Sequence, residues 1–193
     1  MKPPLSRFSI VLFVSLIAVM IATRFHHFGT ALNLPDASMA VFFLGGLSLR
    51  KHLGFGLFMA LAVVLDWISV SYAGVSDFCV TPAYSFLLPA YAVLWYGGRF
   101  YADRLQVGLV SLAGALAMAL LVSSLSFAIS NGAFYWLGGR YAQPHMSEYL
   151  ARLWQWGPLF VRTTLTYIAV ALVGFAVYQR AAGVRHDHRI TGV

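Results

Sequence analysis

Leu53-Gly-Phe-Gly-Leu-Phe-Met-Ala-Leu-Ala-Val-Val-Leu-Asp66-Trp67-Ile-Ser-Val-Ser-Tyr72 is a stretch of twenty residues with one charge. A helix of ~20 mainly apolar residues reaches across the hydrocarbon core of a bilayer. This stretch therefore decides the class: it is a membrane-spanning helix. Five further apolar runs flank it, from Phe8 to about Ala22, from about Ser38 to Leu49, from Pro82 to about Tyr96, from about Leu105 to Ile129, and from about Pro158 to Tyr178. The Ser38 run contains Gly45-Gly46 and, like the Pro82 run, is short enough to need neighbours. The expectation is an all-α integral membrane protein with six transmembrane helices in a single transmembrane domain over residues 1–193.

Composition agrees. Of the 193 residues, 60% are hydrophobic and 10% charged, where a soluble domain carries about 25% charge. The mean hydropathy is +0.77. A water-soluble globule of this composition would expose large apolar patches; membrane lipid is the solvent that fits it. The net charge of +7 does not point to nucleic acid, because the basic residues cluster between apolar runs. With six spans, nine of the Lys and Arg residues (Lys2, Arg7, Arg50, Lys51, Arg99, Arg104, Arg180, Arg185 and Arg189) fall on one side. Arg24, Arg140, Arg152 and Arg162 fall on the other. The positive-inside rule then puts both termini in the cytoplasm. Arg24-Phe25-His26-His27 follows the first run with no small-x-small cleavage pattern, so that run is expected to stay as a helix rather than leave as a signal peptide.

Several residues could carry chemistry. Asp66 interrupts its run about six residues from the outer end, about 9 Å deep at the helical rise. A carboxylate at the centre of a spanning helix costs ~2.5 to 3.5 kcal/mol, so a partner is required: an Arg or His, water, or a ligand. A structural hydrogen bond to a neighbouring helix and a ligand contact both stand as readings, and Asp66→Asn is expected to harm ligand binding more than folding. Cys79 is the single cysteine, which excludes an intrachain disulfide. A lone cysteine is commonly a small buried hydrophobe. This one precedes a helix start, where Thr81 is placed to cap and Pro82 to occupy the first helical position. The helix dipole there favours a thiolate while Asp77 opposes it, and a thiolate is a soft ligand for transition metals.

His27, Tyr84, Arg152 and Arg162 fall on the same outer side. Singly, each has a bland reading. Glu148 and Arg152 are spaced to pair on one helix face, Tyr84, Tyr91 and Trp95 share a stripe that suits packing, and an aromatic belt accounts for much of Asn131 to Gly157. Met146 to Trp156 suits a short interfacial helix. Together the residues suit a polar, outward-opening pocket. The chain has no Gly-x4-Gly-Lys-Ser/Thr loop, no His-Glu-x-x-His and no Gly-x-Ser-x-Gly, which removes three common routes to catalysis.

Ala18-Val-Met-Ile-Ala22 sets two small residues four apart, a spacing that lets another helix approach closely. Six short helices, this pair and the outer polar residues resemble the S-components of energy-coupling factor (ECF) transporters. The stretch Val75-Ser-Asp-Phe-Cys79-Val-Thr-Pro82-Ala-Tyr84, with Asp66 upstream and His26-His27 after the first helix, is similar to the vitamin B12-specific S-components of the BtuM type. The resemblance implies an ECF S-component-like bundle in a bacterial inner membrane, taking up cobalamin. It implies Cys79 as axial ligand to the cobalt, with His27, Asp66, Tyr84 and Arg152 around the corrin. It also implies Ala18 and Ala22 as the docking site for an ECF coupling module, although proteins of this type often occur without one. Thiolate ligation would displace a cyanide from that face, adding cyanocobalamin decyanation to what is primarily a transporter. Two other classes remain open: a small membrane enzyme using Cys79 as nucleophile, and a non-catalytic membrane assembly subunit.

Overall fold

The computed structural model describes residues 7–24, 34–72, 74 and 80–190, with side chains over 10–24, 34–72, 74 and 80–181. His27 and Cys79 lie outside the described residues. Every regular element among those described is helical: α1 (Arg7–Thr23), α2 (Ser38–Leu49), α3 (His52–Tyr72), a 3-10 turn (Pro82–Phe86) leading into α4 (Leu87–Tyr101), a second 3-10 turn (Ala102–Arg104), α5 (Leu109–Leu137) and α6 (Met146–Ile190). Three segments are long and apolar enough to cross a membrane: α3, α5 and the Met146–Ala181 part of α6. Ile10–Thr23 of α1 and the whole of α2 are apolar but shorter.

The centre of the bundle is α2. It has twelve residues, about 18 Å of helix, less than a ~30 Å hydrocarbon core. Ser38, Ala40, Val41, Phe42, Phe43, Gly45, Gly46 and Leu47 are all buried, so the helix is enclosed on nearly every side, as an all-round apolar helix should be. Glycine makes this possible. A Cβ on Gly46 would lie 1.9 Å from the Trp95 carbonyl oxygen, and one on Gly98 would lie 2.2 Å from the Phe43 carbonyl oxygen. Thus α2 and α4 cross backbone to backbone, the close approach that small residues permit. Around the crossing, Phe42 stacks on Tyr91 at 4.2 Å between centroids and meets Phe55, Phe58 and Trp95 edge-on.

The outward faces are as apolar as the inside. Ile10, Val11 and Val14 of α1, Leu120, Leu121 and Leu125 of α5, and Val170, Val173 and Val177 of α6 are all exposed. In water such surfaces invite association; in a bilayer they are the solvent contact. The loop after α2 turns sharply at Arg50, whose φ of 57° is left-handed, and an exposed Arg50–Asp103 ion pair links this corner to the turn after α4.

Several details differ from those read in the sequence. Met146 to Trp156 is not a separate helix but the first part of α6, which continues through Pro158. Proline lacks one N–H and removes one bond of the ladder, and helices tolerate that when neighbours support them. α5 extends past Ile129 to Leu137. Thr81 precedes the 3-10 turn in extended conformation and Pro82 starts it, but no side-chain cap bond forms; Thr81 Oγ1 is buried without a partner.

The crossing gives a direct test. Gly46→Ala should lower the thermal unfolding midpoint of the detergent-solubilised protein, since overpacking a close contact costs ~1–3 kcal/mol or more. Gly56→Ala, where a Cβ meets nothing within 4 Å, should leave it equal or slightly higher, as expected for an exposed helical glycine. Equal behaviour of the two variants would contradict the crossing.

Candidate functional site

Asp66 has its partner. The carboxylate accepts Nε–H and Nη2–H of Arg24 at 2.7 Å each, one bond to each oxygen. This is the planar fork-to-fork geometry in which Arg and carboxylate match best. Arg24 follows the last residue of α1, and its amide bonds back to the Met20 carbonyl at 3.0 Å, so α1 itself aims the guanidinium. Nη1 donates to Ser38 Oγ at 2.7 Å and to Tyr91 Oη at 3.1 Å. Asp36 Oδ1 in turn accepts from the Ser38 amide at 2.8 Å and the Ser38 hydroxyl at 2.5 Å, an Asx-type arrangement at the start of α2. Tyr84 Oη donates to Asp66 Oδ2 at 2.6 Å.

One guanidinium thus joins the end of α1, the start of α2, the later part of α3 and α4, and through Asp66 it also holds the turn before α4. The Arg24 side chain is 4% exposed and that of Asp66 22%. At that burial the pair cannot be scored as a surface ion pair; removing one partner strands a charge. Of the residues singled out in the sequence, the structure brings Asp66 and Tyr84 together and gives both a structural engagement. Arg24 was read there only as a topology marker. The signal that could have found it is chemical: a carboxylate inside an apolar run requires a cation, and Arg24 closes the neighbouring run.

Arg152 is elsewhere. Tyr167 of α6 donates to the Pro35 carbonyl at 2.9 Å, level with the start of α2. Arg152 precedes Tyr167 by fifteen residues, about 22 Å along an α-helix. Its surroundings are aromatic: the guanidinium lies 4.9 Å from the Tyr141 centroid and 5.9 Å from that of Tyr135. The expected Glu148–Arg152 pair does not form. Glu148 Oε2 instead accepts from Tyr135 Oη at 2.8 Å, and Tyr135 Oη also accepts the His145 amide at 2.9 Å. Arg162 is exposed on α6 beside Pro158 and Leu165, lining a shallow depression. Tyr91 and Trp95 are buried packing residues, as their stripe suggested.

Ala18 and Ala22 are exposed on α1, while Leu16, Met20 and Thr23 face the bundle. Among the described residues, therefore, the small pair is not consumed by packing. A cavity of about 620 Å³ lies between α1, α2 and α6, walled by residues such as Leu16, Val41 and Leu172. Its lining is mainly apolar and includes neither Asp66 nor Tyr84. Comparison with protein-family models finds no match to this chain, and neither does comparison with curated proteins.

The pairing alters what the Asp66 substitution should do. Asp66→Ala should cost ~3–5 kcal/mol of stability, because it leaves a buried guanidinium uncompensated; part of the cost of Asp66→Asn likewise falls on folding. Replacing both Arg24 and Asp66 with Leu should recover much of the loss. The measurement is a double-mutant cycle on unfolding of the solubilised protein, and additive single effects would rule out the direct pairing.

Proposed function

We propose that this chain is a vitamin B12-binding S-component of the BtuM type, with six membrane spans and both termini in the cytoplasm. The observation that carries the reading is the Asp66–Tyr84 hydrogen bond under the Arg24 clamp. Asp66 stands before the Cys79 stretch and Tyr84 after it, so the bond draws the two roots of that stretch together. Arg24 directly precedes the segment carrying His27. The same cluster therefore holds residues flanking both segments to which the resemblance assigns ligand contacts, at one end of the bundle. A large, rigid ligand such as a corrin needs this kind of held framework, because disorder in the loop roots would be lost as entropy on binding.

In this reading α1, α2 and α4 complete six spans by packing on the three longer helices. The short central α2 spans by thinning the bilayer or by the flanking polar turns. The Cys79 thiolate fills one axial position of cobalt(III). On cyanocobalamin the sulfur supplies an electron pair to form Co–S while the Co–C bond breaks. Cyanide leaves with its pair and takes up a proton as HCN, with no change in cobalt oxidation state. Exposed Ala18 and Ala22 leave a narrow face of α1 open to an ECF coupling module.

Two experiments test this. Reporter fusions after Lys51, Arg99 and Arg189 should read cytoplasmic, and a periplasmic signal from any of them would break the six-span topology. Purified protein incubated with cyanocobalamin should show a visible spectrum shifted from that of the free vitamin. Cys79→Ser should return the spectrum toward the free vitamin and stop decyanation, because a hydroxyl is a harder and far less acidic ligand. Wild-type and variant spectra that both match free cyanocobalamin would remove Cys79 from the site and cobalamin from the reading.

A further inference from the structure

The junction of α5 and α6 holds a cation without an anion. Among the described residues Arg152 forms no ion pair and no hydrogen bond, and its Nε is buried with no acceptor. The carboxylate one turn away, Glu148, is bound to Tyr135 Oη and stands 3.9 Å from His145 Nδ1. The guanidinium is nonetheless held in place. Tyr141 and Tyr135 lie beneath it, which is favourable cation–π geometry. Tyr135 is itself stacked on Tyr149 at 5.9 Å and meets Trp136 edge-on at 5.2 Å. An aromatic platform therefore orients a charged fork whose Nε is closed off and whose two Nη groups have no partner among the described residues. Such a fork suits a tetrahedral oxyanion that accepts two bonds at once.

We propose that Arg152 is the seat of a phosphodiester. Two sources carry this group to the interfacial end of a membrane bundle: the headgroup of a phospholipid, and the phosphodiester linking the corrin of cobalamin to its nucleotide tail. The second source rests on the function proposed above; the first does not.

The test pairs each source with a partner lacking the phosphodiester: cyanocobalamin against dicyanocobinamide, and phosphatidylglycerol against diacylglycerol with the same chains. Affinity for the corrinoids and thermal stabilisation by the lipids are measured on full-length wild type, Arg152→Gln and Arg152→Lys. If the vitamin supplies the anion, Arg152→Gln weakens cyanocobalamin roughly tenfold or more relative to dicyanocobinamide, and Arg152→Lys keeps part of the preference. If a lipid supplies it, phosphatidylglycerol stabilises the wild type beyond diacylglycerol, and Arg152→Gln loses the difference. Equal loss for both corrinoids with no lipid difference makes Arg152 a packing residue and overturns the proposal, as does no change in any arm. A wild type that binds neither corrinoid defeats the vitamin reading alone, and the lipid arm then decides on the seat.

Discussion

A guanidinium held almost out of contact with water is costly to place, and the rest of the bundle is arranged around it. Arg24 gives two bonds to Asp66 and one each to Ser38 and Tyr91. The Asp66 carboxylate takes a third bond from Tyr84. Each additional bond lowers the cost of burying charge, and a satisfied network in a low-dielectric setting is rigid because any departure leaves a polar group stranded. Within apolar surroundings that could slide past one another, this cluster sets the register of α1, α2, α3 and α4.

Below the cluster the fold is held by shape. Helices in lipid gain little from hiding apolar groups, since the lipid is equally apolar, and must rely on close packing. The α2–α4 crossing supplies it, with Gly46 against the Trp95 backbone and Gly98 against that of Phe43. Phe42, Tyr91 and Trp95 then fill the space beside the crossing. Tyr91 belongs to both regions: its ring stacks on Phe42 and its hydroxyl meets Arg24. Tyr91 therefore ties the polar clamp directly to the apolar core.

The two polar groupings have different characters. In the Arg24–Asp66 cluster the donors and acceptors answer one another, so it reads as framework. At Arg152 the cation is oriented by rings and its Nε is unanswered, which is the feature the proposed phosphodiester seat starts from. The topology read from the sequence had grouped Asp66, Tyr84 and Arg152 on one side and could not separate these characters, because position along the chain does not say which acceptor each donor finds.

The class of the protein was legible in the sequence by itself. The apolar run across residues 53–72, matched in hydropathy by Leu109–Leu137, is long enough for a helix to cross a bilayer, where unpaired backbone groups are prohibitive. The need of Asp66 for a partner was equally legible, from the cost of a lone carboxylate. That the partner is Arg24, that Tyr84 shares it, that Glu148 turns to Tyr135 rather than Arg152, and that α6 continues through Pro158 were decided only by the tertiary structure. Such pairings join residues far apart in the chain, and which donor reaches which acceptor depends on how the helices pack. Apolar length specifies that a helix forms; because the outward faces are as apolar as the inside, it carries no information on which face is buried or which neighbour lies against it.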